Sequence, residues 1–283
     1  MGESKNNMDV RTMNTRFKGW ILIVVSLVLA LLAIWKYFSK PSEPAPGTIW
    51  IEPNTGMQFV WVPTGCFNMG SEKNHDDQKP VHRVCLKGFF LGKYEVTQGE
   101  YEKIVGTNPC ATKCTSYLGS DRAATNIGWK EAQYVAEALS RISDSKFRLP
   151  SESEWEYACR AGEQHKHYCG DGPIKEIAWI AQSRYGPNLD RPQSVGGKKP
   201  NAWGLFDMTG NVSEHVQDCW HGNYKGAPED GSAWIADGYC HGRVNRGGSW
   251  DSSEKVNATF RRYREFDSEL IERSNGLRLV RTP

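Results

Sequence analysis

The stretch Asn201-Ala-Trp-Gly-Leu-Phe-Asp-Met-Thr-Gly-Asn-Val-Ser-Glu214 decides how the chain is read. Its glycines, asparagines and aspartate punctuate every few residues, so it predicts turns and short strands, not a long element. Tryptophan is abundant, with eleven in the chain and nine of them beyond residue 40. Such a composition predicts an irregular fold whose core is set by large aromatics.

Phrases of the same kind lie on either side. Downstream are Arg246-Gly-Gly-Ser-Trp250 and Gly276-Leu-Arg-Leu-Val-Arg281; upstream is Arg148-Leu-Pro-Ser-Glu-Ser-Glu-Trp-Glu-Tyr157. Within the last, Ser151-Glu-Ser-Glu154 is a capping box that opens a helix carrying Trp155 and Tyr157. Thr97-Gln-Gly-Glu100 is a second, opening a helix to about Val105. Trp129, Ala132, Val135, Ala136, Leu139 and Ile142 recur at helical spacing and predict an amphipathic helix. Met57–Pro63 alternates as a strand, Gly65–Gly70 reads as a turn and strand, and Val84–Gly92 is a strand pair broken at Gly88.

The N-terminal part is different. Gly19–Trp35 carries no charge, is flanked by Trp20, Trp35 and Tyr37, and is long enough to span a bilayer as a helix. Lys5, Arg11, Arg16 and Lys18 precede it, against Lys36 and Lys40 after it, so the positive-inside bias puts the N-terminus in the cytoplasm. A cleaved signal peptide fits less well, because no small-residue cleavage site comes after the apolar run. The expected organisation is a cytoplasmic tail (1–18), a transmembrane helix (19–38), a Pro-rich linker (39–54) and one domain (55–283) in the periplasm, anchored to the inner membrane. A formal net charge of +2 and the absence of any basic stripe exclude nucleic acid as an expected partner.

All eight cysteines lie on the exported side. An even number there points to disulfides, and eight allow 105 connectivities. The expectation adopted is pairing of sequential neighbours: Cys66 with Cys85, Cys110 with Cys114, Cys159 with Cys169, Cys219 with Cys240. Zinc held by Cys110 and Cys114 is the competing reading, but no second close pair completes four ligands.

Taken together with Phe59–Pro63, Asn68–Ser71, Lys79–His82 and Gly92–Gln98, these phrases fall in the order seen in the formylglycine-generating enzyme (sulfatase-modifying factor) family, which residues 55–281 resemble. The resemblance implies an α+β, C-type-lectin-like fold with little regular secondary structure. It implies a structural calcium ion held by side-chain oxygens of Asp207 and Glu214 and carbonyls of Gly210 and Val212. A hard cation takes six to eight oxygens, which a turn through Gly210 can converge. The alternative is a hydrogen-bonded turn in which Glu214 pairs with an arginine. Ser213 and His215 depart from the aromatics usual on either side of this glutamate.

Active members carry a cysteine pair after the Gly-Gly-Ser phrase, where this chain has Ser252 and Asn257. A hydroxyl and an amide cannot replace the soft sulfur ligands that select Cu(I), so copper is not expected. The cleft they would line has Trp250, Asp251, Arg261 and Arg262 as further candidates, suited to an envelope protein or peptide, or to a small-molecule ligand. Any one of these arginines could instead be a buried partner of a core carboxylate such as Asp207. The expected function is a membrane-tethered recognition or scaffold module of the envelope. The alternative is an oxidase of the family's siderophore-maturation branch, with Glu214 or Asp251 in acid–base roles.

Overall fold

The computed structural model describes residues 20, 23, 25–29, 31, 43–73, 75–162, 167–181, 191–235, 240, 242–253, 262–265 and 272–282. The chain divides into two units, Met1–Glu43 and Pro44–Pro283. Most of the 19–38 segment assigned to a membrane span lies outside the described residues; within it Trp20, Ile23 and Leu27 are helical and exposed. Among the described residues no helix is long and apolar enough to cross a membrane.

The second unit mixes helices and short strands. Strands β1 (Ile49–Ile51), β2 (Gln58–Val62), β5 (Phe89–Gly92), β6 (Lys146–Arg148) and β11 (Val280–Thr282) form one sheet in the order β1-β2-β5-β11-β6. Strands β3 (Gly65–Met69) and β4 (His82–Leu86) form a hairpin. Strands β7 (Ser213–Cys219), β8 (Arg243–Arg246), β9 (Tyr263–Glu265) and β10 (Asn275–Leu277) form the third sheet, ordered β10-β7-β8-β9. β1 falls inside the segment assigned to the linker, so the folded unit starts earlier than residue 55. Trp50 accounts for this, because its ring packs against Phe59, Phe90 and Phe147.

The larger sheet separates two apolar clusters, and period-two alternation assigns its residues to one or the other. Phe59 and Phe147 join Val96, Ile127, Val135, Leu139 and Leu277 beneath the Trp129–Ile142 helix. Val60, Leu91 and Val280 join Phe67, Trp155, Leu205, Val216 and Val244 on the other side. Both capping boxes form: Thr97 starts the Gln98–Val105 helix and Ser151 the Glu152–Arg160 helix. Gly88 breaks the β4–β5 run because a Cβ there would meet the Trp61 ring at 2.2 Å.

The cysteines pair as sequential neighbours, 66–85, 110–114, 159–169 and 219–240, leaving none free. The Cys110–Cys114 bond removes the zinc alternative, since a disulfide offers no thiolate.

Candidate functional site

The loop from Asp207 to Glu214 is tightly wound. Asp207, Gly210 and Asn211 all have left-handed backbone, with φ of 56°, 79° and 57°. A side chain at Gly210 would meet the carbonyl of Trp179 at 2.2 Å, so glycine is required there. Glu95 fixes the loop from outside: Asn211 Nδ2 donates to its carboxylate at 2.5 Å and the Val212 backbone N–H at 2.9 Å. Gly196 N donates to Asp207 Oδ2 at 2.6 Å.

Glu214 is fully engaged. Arg278 donates to Oε1 through Nη2 at 2.8 Å and to both oxygens through Nε at 3.1 Å; Trp155 Nε1 donates to Oε2 at 2.8 Å. The salt-bridged alternative is therefore the arrangement found for this residue. Among the described residues no group of three or more His, Cys, Asp or Glu side chains is placed to hold a metal ion. Yet the region is over-supplied with acid. Glu95, Asp207 and Glu214 are all buried, and Arg278 is the buried cation beside them. Burial, with Asp207 and Glu214 close by, pushes Glu95 well above the usual carboxylate range. Burial likewise lifts Asp207 to about 6. Asp207 Oδ1 is buried without a hydrogen-bond partner among the described residues.

The degenerate cysteine position opens onto a different part of the surface. A cleft of about 220 Å³ is lined by Ser213, Asn245, Ser249, Asp251, Ser252 and Arg264, among others. Ser249 Oγ donates to Asp251 Oδ1 at 2.6 Å and stands 2.8 Å from Ser252 Oγ. Since the Ser249 proton is committed to Asp251, Ser252 is the donor to Ser249. The three form a short relay ending on a carboxylate that also lies 3.5 Å from Arg273.

Ser252 and Asp251 both line this cleft. Trp250 does not: it is only 2% exposed and is no wall of the cleft, because its backbone N–H donates to Asn211 O and holds it inside. Arg262 is a structural arginine, paired with Glu152 at 2.6 Å and with the carbonyls of Asp77 and His221. Its partner is Glu152, not Asp207. Asn257 and Arg261 lie outside the described residues.

Sequence reading missed Glu95, Arg264 and Asp218. Glu95 belongs to the Gly92–Gln98 phrase, but nothing in that phrase indicates contact with a loop more than a hundred residues away. Asp218 accepts from the backbone N–H groups of Glu152 and Trp234, and burial beside Glu152 raises it to about 7.

Residues 49–283 match the model of the sulfatase-modifying factor enzyme 1-like domain. The chain is 27% identical to the chaperone protein LppX of Paenibacillus barcinonensis over 273 residues, covering 79% of this chain and 89% of that one. It is 24% identical to the formylglycine-generating enzyme of Mus musculus, covering 62% of each. Among solved structures it resembles PvdO from Pseudomonas aeruginosa, with a TM-score of 0.75 and 30% identity over 85% of this chain and all of that one. The chain belongs to the sulfatase-modifying factor enzyme 1-like family, that of the formylglycine-generating enzymes.

Proposed function

We propose that this chain is a membrane-tethered recognition module of the cell envelope, built on a C-type-lectin-like scaffold and without copper–thiolate catalysis. One observation carries the reading. The cleft at the family's thiol position presents Ser252, and every cysteine of the chain is tied up in a disulfide. No thiolate remains to hold Cu(I) or to form a mixed disulfide with a substrate. What remains is a hydroxyl-rich cleft with Asp251, Glu272 and Arg264 on its walls, suited to a polar peptide or small molecule. The 19–38 segment, uncharged from Gly19 to Trp35, would hold the domain at the outer face of the inner membrane.

The reading has two tests. Anaerobic Cu(I) titration of the full chain against a competing chelator should give no stoichiometric uptake; stoichiometric loading with conversion of a thiol peptide to an aldehyde would overturn it. A thermal-shift screen of capped peptides and polar metabolites should find ligands that stabilise the wild type and not Asp251→Ala/Arg264→Ala.

A second reading is an oxidase of the siderophore-maturation type. The match to PvdO over the whole of that chain favours it. Of the acid–base candidates, Asp251 at the cleft is open to such a role, whereas Glu214 is locked by Arg278. Substrate-dependent oxygen uptake by the purified chain, lost in Asp251→Asn, would establish it.

We also propose calcium at the Asp207–Glu214 loop. The unpartnered Asp207 oxygen and the surplus of buried acid fit a hard cation, with the carbonyls of Gly210 and Val212 as further oxygens, whereas both Glu214 oxygens are already taken by Arg278 and Trp155. Bound there, the ion would act structurally, by neutralising this acid. Calcium should raise the melting temperature and a chelator lower it, with Asp207→Asn blunting both; indifference to calcium and chelator sinks the site.

A further inference from the structure

Of the four disulfides, one differs in where it lies. Cys110–Cys114 and Cys159–Cys169 are buried at both ends, and Cys219–Cys240 is buried at Cys219 and half-buried at Cys240. Cys66 and Cys85 are both exposed. The pattern of the β3–β4 hairpin dictates this. Phe67 and Met69 on one strand, with Val84 and Leu86 on the other, join the apolar core. Side chains alternate along a strand, so Cys66, Asn68, Arg83 and Cys85 share the outward face. Register sets Cys66 directly opposite Cys85, and the bond between them forms on the solvent side.

The ladder around this bridge does not depend on it. The Cys85 backbone N–H points away from β3 and donates to Glu229 O at 2.8 Å, so Cys66 and Cys85 face each other as a pair without mutual backbone bonds. The hairpin's ladder bonds belong to the neighbouring pairs, and its inward face is held by the core. Opening the disulfide removes neither.

Thiol–disulfide exchange needs an attacking thiolate to reach one sulfur and the other sulfur to leave as a thiolate. Exposure at both residues meets the first need here and at none of the other three bridges. For the second, exposed Arg83 and Lys87 flank Cys85 at two-residue spacing, about 7 Å along the strand, and nearby positive charge favours a thiolate. Two acids lie on the loop beside β4. Asp230 is engaged by the N–H and hydroxyl of Ser232, and Glu229 meets the strand through its carbonyl. The corresponding flanks of Cys66, Thr64 and Asn68, are neutral. Cys85 is therefore the better leaving sulfur and Cys66 the one attacked.

We propose that Cys66–Cys85 is an exchange site for a partner peptide bearing thiols. The partner's thiolate bonds to Cys66 Sγ, the Cys66–Cys85 bond breaks, and its electron pair leaves on Cys85 Sγ. A second thiol of the partner then attacks the first, releasing Cys66. The partner is oxidised by two electrons to a disulfide, this chain is reduced by two, and the two thiol protons end on Cys66 and Cys85. The site goes beyond the recognition reading and is independent of it, because the attacking thiol is the partner's and no free cysteine of this chain is required.

The test treats the native full chain with reduced glutathione, quenches with acid, alkylates, and maps the peptides by mass. Cys66 and Cys85 should open roughly tenfold or more faster than any other cysteine. The mixed disulfide should be caught on Cys66, with the circular dichroism of the folded chain retained. Arg83→Gln/Lys87→Gln should slow the opening without unfolding the chain. Another bridge opening as fast, opening only once the chain unfolds, or a mixed disulfide caught on Cys85 would overturn the assignment. Cys66→Ala/Cys85→Ala should abolish the fast phase; if that variant fails to fold, the mapping on the wild type still decides.

Discussion

Glu214 and Arg278 form an ion pair with neither partner exposed beyond 1%. Arg278 also donates to the carbonyls of Gly92 and Phe206 at 2.8 Å, so it ties the connection between β10 and β11 to the end of β5 and to the loop at Phe206. Removing one member of a buried pair strands the other charge, which costs about 3–5 kcal/mol, whereas replacing both with apolar residues can be nearly neutral. Arg278→Met should therefore lose stability on that scale in urea denaturation, and Glu214→Met/Arg278→Met should recover most of the loss. A double variant as unstable as the single one would mean that the Arg278 bonds to backbone, not the charge pair, dominate. At this scale the sequence was only partly legible. Asp251 and Ser252 could be placed in the cleft because they sit one and two residues beyond Trp250, at the end of the Gly-Gly-Ser phrase. Trp250 and Arg262 were misplaced because a large aromatic or an arginine has the same identity on a cleft wall as in a core. Only long-range partners, Asn211 for the first and Glu152 for the second, distinguish the two.

The elements were the most legible level. Both capping boxes, the Trp129–Ile142 helix and the strand break at Gly88 depend on neighbours within a few residues, and local physics settles them. The Ser151 cap does more than start a helix. Its Oγ accepts from Glu154 N at 3.1 Å and donates to Gly231 O at 2.8 Å, while Glu154 returns to Ser151 N and binds Arg148 through both oxygens. The Thr97 cap has the reciprocal pair with Glu100 alone. An N-cap contributes about 0.5–2 kcal/mol. Ser151→Ala should fall at or above the top of that range and Thr97→Ala near its middle, as measured by chemical denaturation; a smaller loss for Ser151→Ala would show the Gly231 contact to be idle. The short strands β1, β9 and β10 escaped sequence reading, since three residues cannot display a period.

Across the whole molecule, the disulfides and the buried acids set how stability responds to conditions. The neighbour pairing of cysteines was legible only as one choice among many; what selects it is geometry, such as Cys66 lying directly opposite Cys85 in the β3–β4 ladder. Of the buried acids, Asp207 and Glu214 were legible as core carboxylates only as alternatives, and Glu95, Glu156 and Asp218 not at all, because burial is a property of the fold. Their effect on stability has a definite sign. Asp218 has its pKa raised by burial to about 7, against an unfolded value of about 3.9. Between those values the native state keeps a proton that the unfolded chain has released, so stability falls as pH rises through that window. Asp207, lifted to about 6, and Glu95, raised also, act in the same direction. Glu156 opposes them. Burial alone would raise it, but Arg160 and Arg246 hold it below the usual carboxylate range, so its contribution is lost only toward strong acid. In calcium-free buffer the chain should accordingly be more stable at about pH 5 than at about pH 8, by an amount on the order of a few kcal/mol. Asp218→Asn should flatten that slope whatever it does to absolute stability, because an amide has no proton to lose. Calcium added to the wild type should flatten the part owed to Asp207 and Glu95, since a cation takes the place of their protons. A profile that rises from pH 5 to pH 8, or a slope unchanged in Asp218→Asn, would mean that these carboxyls are already ionised in the folded chain.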